Sequence, residues 1–153
     1  MGNRAVITTV GATDNTTGIY VHWNGGVNSV EAFCAYCDMK GFRSPDSDCY
    51  GWAYLATVIG NFFGDGLSLG VDRIGNLDTD NGDNGVYYIK DWKIVARSKD
   101  YPQQLETDKS KLYEFLLVIN KCQSPDIKVR KTVIKRYCKK NNIPMPEEKK
   151  NAD

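Results

Sequence analysis

Apolar positions change their spacing several times along the chain, and each change marks an element. Arg4 to Val10 is rich in β-branched residues, Ile19 to Trp23 alternates, and the polar turn Gly11 to Gly18 lies between them. That pattern predicts an amino-terminal hairpin, stopped by Asn24-Gly25-Gly26. From Ser29 to Lys40 the spacing lengthens, and Val30, Phe33, Tyr36 and Cys37 fall on one helical stripe. Asn28 with Glu31 three positions later has capping-box spacing, and Gly41 supplies the stop. A second helix is expected over Tyr50 to Phe63, where Trp52, Leu55, Ala56, Ile59, Phe62 and Phe63 recur at three and four residues. Ser47 or Asp48 would cap it, and its apolar content marks it as the central core helix.

Gly64-Asp65-Gly66 ends that helix, after which Leu67 to Arg73, Gly85 to Lys90 and Trp92 to Ser98 read as strands separated by turn-rich sequence. Tyr101 to Thr107 is a polar connection. Two further helical patterns, Asp108 to Cys122 and Asp126 to Asn141, are parted by Ser124-Pro125. Leu112, Phe115, Leu116 and Ile119 stripe the first, while Val129, Val133, Ile134 and Tyr137 form a narrower stripe on the second. Residues 143–153 hold two of the five prolines and read as a disordered tail, which leaves 1–142 as the folded unit. The order ββααβββαα has no regular β-α-β alternation. It predicts an α+β domain with an antiparallel sheet of about five strands and helices packed on one face.

A chain of 153 residues with 41% apolar and 25% charged residues is one globular domain and not a disordered polymer. Its net charge of +1 conceals a division: residues 1–85 carry 4 cations and 10 acids, whereas residues 86–153 carry 16 and 9. Lys121 to Lys140 is the densest basic stretch, with eight cations and the single acid Asp126. It is either a solvated helix face or a partner surface, and Lys128, Arg130, Lys131, Lys135 and Arg136 are its candidate contacts. No amino-terminal stretch has a signal-peptide layout and no apolar run approaches the ~20 residues that span a bilayer, so a cytosolic protein without membrane contact is expected. In that compartment the five cysteines are expected as free thiols.

Four constellations carry potential chemistry. Cys34-Ala35-Tyr36-Cys37 has C-x-x-C spacing, but it lies mid-helix, away from the helix amino terminus that would activate a thiol, and lacks the second half of a zinc finger. Buried structural thiols are the expectation, with no metal and no cofactor. Asp78 to Gly85 crowds acids, amides and glycines as calcium loops do. Counted from Asp80, Gly85 is correctly sixth, but Gly82 and Asp91 stand where the third and twelfth ligands belong. The run reads as an ordinary β-turn connection, with a ligand-contacting loop through Asp78, Asp80 and Asn81 as the alternative. His22 is the only histidine, and no spacing ties it to a cysteine nucleophile. His22-Trp23-Asn24-Gly25-Gly26 places an imidazole, an indole, a carboxamide and two glycines where a strand turns into a helix, which suits a ligand or simply a tight turn. Asn61, within Gly60-Asn61-Phe62-Phe63-Gly64, is the candidate second wall.

Ile19 to Gly26, Ser29 to Phe33, Tyr50 to Ala53, Ile59 to Gly64 and Leu77 to Asn81 resemble a family of small uncharacterised proteins of bacterial phages and mobile elements, over about residues 2–97. The resemblance implies a setting inside a bacterial host cell and no particular reaction. In that setting it points to a non-catalytic, anti-CRISPR-like protein that occludes an RNA-guided nuclease complex, with a host immune protein or ribonucleoprotein as partner. Acidic Asp72 to Asp83 would imitate phosphate charge while the basic helices engage RNA or an acidic protein. The alternative is a sponge for a cyclic or ADP-ribose-type nucleotide, built on Trp23 to Gly26 and Asn61. A Cys/His enzyme is the third reading, and a homo-oligomer is compatible with each.

Overall fold

The computed structural model describes residues 2–98 and 108–146, so the predicted connection at 101–107 and the tail from 147 onward lie outside the described residues. The protein is an α+β domain. Strands β1 (Ala5–Thr9) and β2 (Thr17–Val21) lead into helices α1 (Val27–Met39) and α2 (Tyr50–Phe63). Strands β3 (Leu69–Arg73), β4 (Val86–Lys90) and β5 (Lys93–Arg97) follow, then helices α3 (Leu112–Cys122) and α4 (Lys131–Lys140).

The sheet is mixed, which corrects the antiparallel expectation. Its spatial order is β3-β2-β1-β4-β5, and β1 pairs in parallel with β4, with Val6 opposite Val86 and Thr9 opposite Ile89. The remaining pairings are antiparallel. Because β2 and β1 lie between them, β3 and β4 cannot be joined by a hairpin turn, and residues 74–85 form a crossover instead. Alternation explains how β1 serves two layers. Ala5 and Ile7 join the core under the helices, while Val6 and Thr8 are fully buried on the other face. The crossover covers that second face: Ile74 and Leu77 lie against Gly18 of β2, where a Cβ would meet them at 3.4 and 3.2 Å.

Between β4 and β5 the turn residues Asp91 and Trp92 both have positive φ, 48° and 63°, as a two-residue primed turn requires. Trp92 tolerates that conformation because its indole is buried and donates to the Phe42 carbonyl at 2.7 Å. The sequence pattern puts Trp92 in the strand; the turn takes it.

The central helix is α1, not α2. Val30, Ala32, Phe33, Cys34, Ala35, Tyr36 and Cys37 are all buried, because α1 packs against α2, α3 and β5 at once. Burying Phe33 alone is worth roughly 3 kcal/mol, and its ring meets Phe62 of α2 and Phe115 of α3 edge-on. The predicted capping box does not form. Gly26 is the N-cap of α1 without a side-chain bond; the Asn28 carboxamide accepts from the Asp108 N–H at 2.9 Å, and Glu31 pairs with Lys109 at 3.8 Å. Both residues thus anchor the start of the third helix instead. Asp48 does take part at α2, accepting from the Tyr50 N–H at 2.9 Å.

Helix α4 starts five residues later than its periodicity predicts. The Asn120 side chain holds the Val129 backbone at both ends, donating to its carbonyl and accepting from its N–H, each at 2.9 Å, and so keeps Val129 and Arg130 out of the helix. Past α4, Ile143 is buried and Met145 packs against the core, so the expected tail is anchored at least through these positions.

Candidate functional site

The turn from β2 to α1 is built by close approach of the amino terminus. A Cβ on Gly25 would lie 2.5 Å from the Asn3 carbonyl oxygen and 2.8 Å from the Ala5 Cβ, so only glycine fits. Its N–H donates to Asn3 O at 2.8 Å and its carbonyl accepts from the Tyr87 hydroxyl at 2.7 Å. Burial pushes that tyrosine's pKa up to about 12, which keeps it a neutral donor. Asn24 takes the left-handed conformation at φ 57°, and Gly26 is half-buried. His22 lies with Nδ1 3.0 Å from the Tyr20 hydroxyl, and Trp23 meets its ring edge-on at 4.9 Å. Trp23 is 46% exposed, the one member of this run that offers a large open surface. Asn61 does not join it, since its amide donates to Gln123 Oε1 at 3.0 Å and ties α2 to the end of α3.

The crossover is equally self-contained. Asn81 is buried, and its side chain donates to the carbonyls of Asp78 and Gly85 at 3.0 and 3.2 Å. Its Oδ1 accepts from the N–H groups of Asp83, Asn84 and Gly85 at 3.1–3.2 Å. One carboxamide therefore organises the loop, and neither an ordinary β-turn nor a ligand-facing role for Asn81 survives. Asp83 bonds Arg4 Nε at 2.7 Å and the Arg4 N–H at 3.0 Å, contacts that hold its carboxyl below the usual range. Asp78 lies 3.7 Å from the same guanidinium, while Asp80 is exposed. Among the described residues no group of three or more His, Cys, Asp or Glu is placed to hold a metal ion.

Helix α4 presents the opposite arrangement. Ile134 and Cys138 are fully buried on its inner side. At 100° per residue this turns Arg136, Lys139 and Lys140 outward, and all three are exposed. Lys128 and Arg130 are exposed on the turn before the helix. Lys131 is exposed and Lys135 half-buried, and each has an interaction of its own. From Ile127 to Pro146 there are seven cations and no acid.

The thiols of Cys34 and Cys37 are buried in α1, and burial pushes the first up to about 12 and raises the second. A thiol held protonated in this way is a poor nucleophile. A cavity of about 540 Å³ opens between α1, β5, the start of α3 and the end of α4. The charges that line it are paired: Glu31 lies 3.8 Å from Lys109, and Lys93 lies 3.7 Å from Asp38, which stands outside the lining and also accepts from the Tyr137 hydroxyl at 2.8 Å.

A smaller cleft of about 270 Å³ was not visible as a unit in the sequence. It is lined by Lys40 and Phe42 from the α1–α2 connection, Tyr54 and Thr57 from α2, and Asp126 and Ile127 from the α3–α4 turn. Phe42 and Tyr54 stack at 4.1 Å with planes 10° apart. The available signal was the spacing of Tyr50 and Tyr54, one helical turn apart and off the apolar stripe of α2.

No known protein family, curated protein or solved structure matches this chain.

Proposed function

We propose that this protein acts by stoichiometric binding and not by catalysis, laying the outward face of α4 and the turn before it against the phosphates of RNA in a ribonucleoprotein complex. The observation that supports this most directly is the run of seven cations without an acid from Ile127 to Pro146, anchored from beneath by Ile134 and Cys138. A helix held by its apolar side fixes the backbone from which the charges extend, so docking need not order that backbone. Occlusion of an RNA-guided nuclease is the setting that the resemblance adds. The acidic half of the mechanism gains nothing from the geometry, since Asp78 and Asp83 face Arg4, and Asp72 accepts from Asn76 of its own loop.

The test is fluorescence anisotropy of a labelled RNA duplex across a salt series. Reversal of Lys128, Arg130 and Arg136 to Glu is expected to weaken binding at least tenfold and to flatten the salt dependence by roughly one logarithmic slope unit per phosphate contact removed. An unchanged slope in the triple variant would overturn the proposal.

A further inference from the structure

We infer that the cleft between Phe42, Tyr54 and Ile127 is a stacking site for an unpaired nucleobase, at the edge of the basic face. This rests on the reading of α4 as an RNA-binding surface and adds what that surface selects: single-stranded over paired RNA.

Three features of the cleft define its ligand. The first is a planar wall. Phe42 and Tyr54 stack in parallel, and Tyr50, which is 55% exposed, stands nearly perpendicular to Tyr54 at 6.5 Å beside them. Aromatic walls at a protein surface favour flat π-systems, and stacking does not depend on which base is presented. The second is the arrangement of charge. Lys40 Nζ lies 5.8 Å over the Phe42 ring, and the Arg43 guanidinium, itself paired with Asp48 at 3.1 Å, lies 4.5 Å over the Tyr50 ring, so Lys40 is the cation that bears on the cleft. A cationic ligand would meet like charge there, whereas a base carrying its phosphate would meet opposite charge. The third is a carboxylate. The Asp126 carboxylate lines the cleft and offers acceptors, as the Thr57 hydroxyl does with its lone pairs, its proton being donated to the Ala53 carbonyl at 2.7 Å. An acceptor-rich edge suits a base with an exocyclic amine, cytosine for example, and disfavours uracil. A purely apolar peptide would leave both Lys40 and Asp126 unpartnered.

Position joins the cleft to the basic face. Ile127 forms part of the cleft, and Lys128, the next residue, opens the uninterrupted cationic run. A strand whose phosphates follow Lys128 and Arg130 therefore passes the aromatic wall directly. In a duplex the bases are stacked inward and cannot reach it.

The experiment compares three RNAs of equal length by anisotropy: oligo(C), oligo(U) and a perfect duplex. An oligo(C) carrying one 2-aminopurine reports stacking through its fluorescence. Wild type is expected to bind oligo(C) more tightly than oligo(U) or the duplex and to quench the 2-aminopurine. Tyr54→Leu, which keeps apolar bulk but removes the π-face, is expected to lower oligo(C) affinity about tenfold, abolish the quenching and leave duplex affinity unchanged. Lys40→Glu, at the rim of the cleft, is expected to do the same with no change to the core. Asp126→Ala is expected to erase the preference for oligo(C) over oligo(U). If Arg136→Glu weakens all three RNAs while Tyr54→Leu and Lys40→Glu change neither the preference nor the quenching, the basic face stands and the stacking site is overturned. If wild type binds none of the three, the RNA reading of α4 fails and the stacking site with it.

Discussion

The crossover at 74–85 and the segment from Lys128 to Lys140 are both dense in polar residues, and both stand out in the sequence as surfaces for a partner. They differ in where their hydrogen-bonding and charge capacity goes. In the crossover, Asn81 holds five backbone groups of its own loop and Asp83 is bound twice by Arg4. In α4, Arg136, Lys139 and Lys140 point away from the core. Polar density therefore distinguishes nothing by itself. A loop that must cover a sheet face has buried backbone to satisfy, and it draws its polar side chains inward; a short helix buried along one stripe has no such demand on its outer side.

The difference can be probed by three measurements, beginning with the largest expected effect. Asn81→Ala removes five hydrogen bonds within the crossover, although the Gly85 carbonyl keeps the Val6 N–H and the Asn84 N–H keeps the Arg4 carbonyl, and is expected to destabilise the protein by about 3 kcal/mol in urea unfolding. A loss below about 1 kcal/mol would show that the crossover does not depend on its internal bonds. A smaller effect is expected from acid. Because the folded-state pKa of Asp83 is depressed, its contribution is fully present above the ordinary carboxyl range and is lost as pH falls through the lowered value. Asp83→Asn should remove that part of the acid limb of the stability curve, and identical limbs for both proteins would sever the link to Arg4. The smallest effect is expected on the other side of the comparison. Reversal of Lys128, Arg130 and Arg136 to Glu should change unfolding free energy by less than about 0.5 kcal/mol per site, even as RNA affinity falls. A large loss would mean that these cations hold the fold together.

The candidate site divides along the same line. Gly25 and Asn81 are legible as special positions, because glycine and asparagine concentrate where the backbone turns sharply, but the role of Gly25 depends on Asn3, Ala5 and Tyr87 being brought alongside, and that of Asn81 on how its own loop closes around it. Trp23 is exposed, while Asn61, which the sequence pattern pairs with it as a second wall, is bound to Gln123. The Phe42–Tyr54 cleft was not legible, since twelve positions of turn and helix separate rings that stack in space.

Local order settled the rest of what could be read. Apolar spacing marks the five strands and four helices of the described residues, because the period of side-chain direction is a property of the backbone and needs no partner. Partnership itself came only with the tertiary structure. The parallel pairing of β1 with β4, the central place of α1 and the anchoring of Ile143 depend on groups far apart in the chain, and the late start of α4 on a side chain of the preceding helix. The physical reason is that a strand or an amphipathic helix specifies which face must be buried, whereas the neighbour that buries it is chosen by the packing of the whole molecule.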